Sequence, residues 1–161
     1  NISNSKTAGT NFLAGIKYKQ WNLSAGASYT GFYNDLSETD EALPQLQWSA
    51  EANSTISYTF LKIGLDVNLF YKFTGRRPGY VLNSSQVITQ SRINSYQIAD
   101  FTINKKLFKY LSLNAGIRNL FDVVNVTGTV VTSGIHTPSS TRNIGCGRSY
   151  FAGIAFNWDK K

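Results

Sequence analysis

The segment from Leu46 to Tyr58 alternates between two kinds of side chain with a period of two residues. One set of alternate positions is mostly apolar and has large residues near its ends: Leu46, Trp48, Ala50, Ala52, Ser54, Ile56 and Tyr58. The other set is wholly polar: Gln47, Ser49, Glu51, Asn53, Thr55 and Ser57. Because successive side chains of a β-strand point to opposite faces, the pattern predicts a strand that separates an apolar phase from a wet one.

The same alternation recurs along the chain and predicts seven strands, at residues 12–18, 21–30, 46–58, 61–73, 96–104, 111–118 and 150–158. The segment 96–104 is the least regular, which indicates a bulge or the edge of an aromatic girdle. Most segments approach or exceed the roughly 9–11 residues that a tilted strand needs to cross a bilayer. Strands of soluble sandwiches are usually about 5–6 residues long.

The predicted connections alternate in length. Those at 19–20, near 59–60 and at 105–110 are short, and those at 34–45, 75–93 and 122–147 are long and rich in Gly, Ser, Thr and Asn. Short turns on one side of a sheet and long loops on the other are typical of outer-membrane barrels. We therefore expect the long loops to be extracellular and the C-terminus to be periplasmic.

Composition weighs against a soluble sandwich or lipocalin-like barrel, which is the main alternative fold. Charged residues make up only 16% of the chain, against a usual value of about 25%. The mean hydropathy is −0.22, as expected when only every second strand residue faces lipid. The predicted apolar faces carry Tyr and Trp near both ends, as an interfacial belt does. The predicted fold class is thus an all-β, transmembrane antiparallel β-barrel.

The alternation also assigns side chains to the two sides of that barrel. We expect lipid to contact Trp21, Trp48, Tyr58, Tyr71 and Trp158. We expect the lumen to contain Glu51, Lys62, Asp66, Lys72 and Arg118. Since single-chain bacterial barrels usually have an even number of strands, and the chain contains no Met and begins at Asn1, we expect residues 1–161 to be one portion of a larger barrel.

Two segments carry a family resemblance. Ile117–Asp122, with the sequence IRNLFD, resembles the penultimate-strand element of TonB-dependent receptors. Gly147–Trp158, which starts with Gly-Arg, resembles their closing strand, and residues 96–103 resemble the strand before. Within the closing strand, Gly153, Phe156 and Trp158 resemble the terminal signal for barrel assembly. One departure is that Asp159–Lys161 follow the last aromatic residue.

The resemblance implies that residues 1–161 are the C-terminal part of a barrel of about 22 strands, whose N-terminal plug and remaining strands lie outside this chain. It implies TonB-dependent uptake of a scarce nutrient across a Gram-negative outer membrane. The cargo would be a metal chelate such as a siderophore, haem or cobalamin. The partners would be the plug, TonB, outer-membrane lipid and lipopolysaccharide. The alternative is a passive, porin-like channel without a plug.

Cargo contacts are expected in the long loops 75–93 and 122–147, with Arg76, Arg77, Tyr80 and Arg142 as candidates. Arginine matches carboxylate and phosphate groups with bidentate hydrogen bonds, and Tyr80 offers a flat ring. In the alternative interpretation these arginines bind lipopolysaccharide phosphates or are simply solvated.

Other chemistry finds little support in the sequence. Cationic clusters at 76–77, 105–109 and 160–161 come without a nucleic-acid motif. His136 as a haem ligand, the acidic residues between 35 and 41 as a cation site and Cys146 as a reactive thiol each rest on a single feature. We expect no enzyme activity, no catalytic residue, no cofactor and no bound metal.

Overall fold

The computed structural model describes residues 6–33, 45–82, 88–130 and 139–157, and every regular element within these ranges is a β-strand. The strands are β1 (Thr7–Tyr18), β2 (Trp21–Tyr33), β3 (Leu46–Phe60), β4 (Leu65–Thr74), β5 (Arg77–Leu82), β6 (Ile88–Ile93), β7 (Tyr96–Phe108), β8 (Leu111–Arg118), β9 (Asn125–Val130), β10 (Ser139–Asn143) and β11 (Ser149–Phe156). Among the described residues there is no helix long and apolar enough to span a membrane.

Seven of these strands form one antiparallel sheet in the order β1-β2-β3-β4-β7-β8-β11. They correspond to the seven segments predicted from the alternation, so the all-β, antiparallel prediction is confirmed. Strands β1 and β11 are the two edges, and within the described residues they do not pair with each other. The sheet is therefore open, and the predicted barrel size of about 22 strands stays a prediction.

Two details of this sheet differ from the prediction. The connection placed near Thr59–Phe60 lies further on, because β3 continues to Phe60 and the chain turns at residues 61–64. Gly64 has a φ of 59°, a conformation that glycine adopts without steric cost. The irregularity expected within 96–104 lies instead between Lys106 and Phe108, where the pairing of β7 with β8 shifts register.

A second, four-stranded sheet is built from two of the segments predicted to be long loops, 75–93 and 122–147. The prediction that these segments lack regular structure is therefore wrong for much of their length. Its order is β5-β6-β9-β10. These strands continue β4, β7, β8 and β11 respectively, in the same order as in the main sheet. The loop strands thus extend the wall of the main sheet beyond its end.

Almost no apolar side chain is buried in the described residues. Only Ala99 and Val126 form a buried apolar core there. Large apolar residues stay exposed instead, among them Phe12 at 69% and Ile154 at 74%. An exposed surface this apolar requires an apolar environment, which for a sheet of long strands is the hydrocarbon region of a membrane.

Candidate functional site

The strand register separates the side chains of the main sheet into two faces. Trp21 lies opposite Tyr58, and Tyr58 lies opposite Val67. Because directly paired residues share a face, these positions and their alternates form one side, which we call the apolar face. Tyr71, which pairs with Ala99, belongs to it.

The other side, which we call the polar face, carries most of the charge. Glu51 pairs with Thr74, Asp66 with Asn104, and Arg118 with Ser149. The predicted separation of faces is therefore confirmed for the strand residues. Lys62 is an exception, because it lies in the turn at 61–64 where strand alternation assigns no face. Trp158 lies outside the described residues.

Aromatic side chains lie at both ends of the apolar face. At one end Tyr29 and Trp48 stack with ring centroids 4.7 Å apart, and at the other Trp21 contacts Tyr58 at 4.6 Å. Trp48 and Tyr58 are ten residues apart on β3, which corresponds to about 33 Å along a strand and to roughly 25 Å at the usual tilt. That span equals the height of the apolar band on an outer-membrane barrel.

A group of three charged residues lies on the polar face near the end of the main sheet from which β5, β6, β9 and β10 continue. We call this end the loop end and the opposite one, with the tight turns, the turn end. Glu51 forms an ion pair with Arg77 through Oε1, and Lys72 Nζ lies 3.7 Å from the other carboxylate oxygen of Glu51, Oε2. The glutamate side chain is 24% exposed and its two partners about 40%. This solvation limits the contribution of each ion pair to stability to roughly 0.2–1 kcal/mol. The group suits a wet interior better than a packed core.

A polar cavity of about 450 Å³ lies at the turn end of the same face, lined by Lys17, Asn22, Ser57, Asp66, Asn68 and Asn104 among others. Within it the Thr59 hydroxyl donates to Asp66 Oδ1 at 2.7 Å. The alternation predicted that Asp66 lies on this face, but it did not predict that these residues line one cavity.

The four residues predicted to contact cargo are not gathered in one place. Arg76 and Arg77 line the same cavity, but Arg77 also forms an ion pair with Glu51, whereas Arg76 is exposed. Tyr80 lies on β5 and Arg142 on β10, the opposite edges of the four-stranded sheet, and their side chains lie outside the described residues. Three strand spacings separate these edges, which is about 14 Å.

The segment Arg118–Asp122 joins three strands through its backbone and short side chains. Asn119 has a φ of 54°, and its N–H donates to Asp100 Oδ1 of β7 at 2.8 Å. Its side chain donates to the Val123 carbonyl and accepts from the Val123 N–H, at 2.9 and 3.0 Å. Asp122 Oδ1 accepts from the Arg148 N–H just before β11 at 2.7 Å. The contacts agree with a role in pinning β8 to its neighbours.

The comparison with known families matches the model of an outer membrane protein beta-barrel family over residues 1–150. The chain belongs to this family. Neither the curated proteins nor the solved structures that were compared gave a match. Membership places this outer-membrane barrel chain in the bacterial outer membrane and indicates a transport or channel role. The apolar face, with its two aromatic belts, is then the side in contact with lipid.

The segment predicted to be a closing strand is described up to residue 157 and contains β11. Gly153 pairs with Asn114, and a Cβ at Gly153 would overlap the Asn114 side chain. Phe156 is 62% exposed and pairs with Leu111. Trp158, the third residue of the predicted assembly signal, lies outside the described residues. The signal therefore stays a prediction.

The remaining candidates also keep their status as predictions. His136 and the acidic residues between 35 and 41 lie outside the described residues. In the part of the chain that is described, no three His, Cys, Asp or Glu residues are grouped for a metal ion. Cys146 is exposed, with no disulfide to another described residue.

Proposed function

We propose that residues 1–161 are the C-terminal portion of the barrel of a TonB-dependent outer-membrane receptor, which takes up a scarce nutrient and has no enzyme activity. The plug, the remaining strands and the segment that contacts TonB would lie outside this chain. The cargo would be a metal chelate of the siderophore, haem or cobalamin type.

The observation that carries the proposal is the contact between the two resembling segments. Asp122 is the last residue of the IRNLFD segment, and Arg148 directly precedes β11, 26 residues later in sequence. Asp122 Oδ1 nevertheless accepts a hydrogen bond from the Arg148 N–H. Arg148 Nη2 in turn donates to the Leu120 carbonyl at 2.7 Å. The two segments that resemble TonB-dependent receptors thus form one structural unit, which supports the assignment of both to such a receptor.

The polar face supports a lumen that a plug fills. Its charged residues, Glu51, Lys72 and Arg77, stay partly solvated in this chain. Side chains of this kind form hydrogen bonds and ion pairs with a polar domain inside the barrel at little desolvation cost. Cargo would contact the loop end of this face, where Arg77 lies and where Tyr80 and Arg142 extend the wall.

Two measurements on the complete protein test the proposal, one with the protein purified from outer membranes and one in cells. A plugged receptor should show almost no conductance in a planar bilayer, whereas a porin-like channel should conduct steadily. In cells, uptake of ferric siderophore, haem or cobalamin should stop when a protonophore removes the energy that TonB delivers. Steady conductance, or uptake that survives the protonophore, would favour the passive channel and reject the receptor.

The contribution of Arg77 to cargo binding can be separated from that of Arg76. We expect Arg77→Gln to weaken equilibrium binding of the cognate chelate by more than tenfold, or about 1.4 kcal/mol. Arg76→Gln removes the same charge one residue away and should change binding much less. Equal effects of the two substitutions would point to net charge rather than to a contact made by Arg77.

A further inference from the structure

A cavity opens where the main sheet and the loop strands part. The pairing of β3 with β4 ends at Glu51 and Thr74, and Gly75 donates one last backbone hydrogen bond to Ala50 at 2.8 Å. Beyond it, the first residues of β3 have no ladder partner on β5. The gap holds a cavity of about 310 Å³ lined by Leu46, Gln47, Trp48, Arg76, Arg77 and Arg92. That volume is within the range of small-ligand sites.

The three arginines of this cavity differ in what they contact. Arg77 is bound to Glu51 on the polar face. Arg92 lies opposite Pro78 in the β5–β6 ladder, whereas Arg77 lies opposite Ile93. Since neighbouring strand residues alternate in direction, Arg92 projects from the side opposite to Arg77. Arg76 and Arg92 are exposed, and neither has a carboxylate partner among the described residues.

The cavity lies at the level of one membrane surface. Trp48, which lines it, is 47% exposed and stacks on Tyr29 in the aromatic belt of the loop end. Trp and Tyr of such belts sit at the depth of lipid headgroups. The tight turns lie at the other end of the sheet, and in outer-membrane barrels the long connections face outward. The two guanidinium groups therefore lie beside the headgroups of the outer leaflet.

We propose that this cavity binds a phosphorylated lipid of the outer leaflet, with its phosphate held by Arg76 and Arg92. A planar guanidinium donates two parallel hydrogen bonds to a phosphate. Leu46, which is 44% exposed, and Trp48 provide an apolar wall for the start of the acyl chains. That wall is why a lipid, rather than a free phosphate-bearing solute, fits the site. The proposal holds whatever the barrel transports.

The experiment uses the complete barrel protein in detergent micelles, titrated with diphosphorylated lipid A and followed by native mass spectrometry. Dephosphorylated lipid A and inorganic phosphate are the comparison probes. The double variant Arg76→Gln/Arg92→Gln removes the proposed contacts. The matched control Lys62→Gln/Lys106→Gln removes the same charge at the turn end, where both lysines are exposed. A heat-modifiable band on gels checks that each variant is folded.

We expect the unaltered protein to bind diphosphorylated lipid A at least tenfold more tightly than the dephosphorylated form, and the arginine variant to lose that preference. The lysine control should bind within about twofold of the unaltered protein. An equal loss in the control would show a net-charge effect and overturn the proposal. So would the absence of any phosphate preference in the unaltered protein, a measurement that needs no variant. Displacement of the lipid by inorganic phosphate at equal concentration would overturn the choice of a lipid.

Discussion

Placing one arginine on either face of β3 gives a direct measure of which face contacts lipid. Ser54 is on the apolar face, where it pairs with Ala25 and Tyr71. Thr55, the next residue, is on the polar face and pairs with Ser24 and Phe70. Ser54→Arg and Thr55→Arg therefore add the same side chain at nearly the same depth, on opposite sides of one strand.

The size of the effect follows from the position of Ser54 between the two aromatic belts. It lies six residues from Trp48 and four from Tyr58 on β3, which is about 2–3 Å from the midpoint at a tilted rise of roughly 2.5 Å per residue. An arginine facing lipid at the midplane costs about 2–4 kcal/mol. We expect Ser54→Arg to cost close to that amount and Thr55→Arg less than about 1 kcal/mol.

Chemical unfolding of the complete barrel in phospholipid vesicles measures both free energies, from the midpoint and the slope of the transition. Leu61→Arg serves as a depth control, because Leu61 is 70% exposed in the turn just beyond the belt, where an arginine costs about 0–1 kcal/mol. If Thr55→Arg destabilises the protein as much as Ser54→Arg does, the assignment of the two faces is wrong.

Three further outcomes follow from individual contacts. Asn119→Gly keeps the positive φ but removes two hydrogen bonds to Val123, so the free energy of unfolding should fall by about 1–3 kcal/mol. No change would show that these bonds do not hold the segment Arg118–Asp122 in place. Gly75→Ala should lower the free energy of unfolding by a similar amount, roughly 1–3 kcal/mol, because a Cβ there overlaps the Ala50 carbonyl oxygen. The control Gly145→Ala, whose Cβ would have nothing within 4 Å, should leave the free energy of unfolding unchanged. The chain on its own should not form a closed, heat-modifiable monomer in detergent, because in the described part of the main sheet β1 and β11 each have a strand on one side only. A monodisperse monomer of that kind on gels and by size-exclusion chromatography would contradict the open sheet.

The strands of the main sheet were predictable because a membrane imposes alternation on every one of them. The turn after β3 was misplaced for the same reason. Leu61 and Ile63 continue the apolar alternation of β4 although they lie in the turn. A turn at a membrane surface tolerates exposed apolar residues, so the pattern alone does not mark its start.

The loop strands and the junction were harder to predict, each for a physical reason. Strand β9 is rich in Thr, Val and Gly, and its polar and small residues are typical of loops as much as of strands outside the membrane. The contact between Asp122 and Arg148 joins residues far apart in sequence, and no local spacing encodes it. The ion pair of Arg77 with Glu51 depends on where β4 ends and β5 begins, which the alternation does not specify.

The loop strands also bear on the order in which the sheet can fold. Thr74 of β4 pairs with Tyr96 of β7 across 21 intervening residues, but Arg77 pairs with Ile93 and Leu82 with Ile88 inside that interval. Closing a flexible loop of that length would cost about 2 kcal/mol more than closing a two-residue turn. If pairing starts at Leu82 and Ile88, each later pair closes only a short additional loop, so the entropy cost of loop closure is paid in small steps. Strands β4 and β7 can then pair progressively from the loop end. The four-stranded sheet would then act as the nucleus from which this part of the main sheet forms.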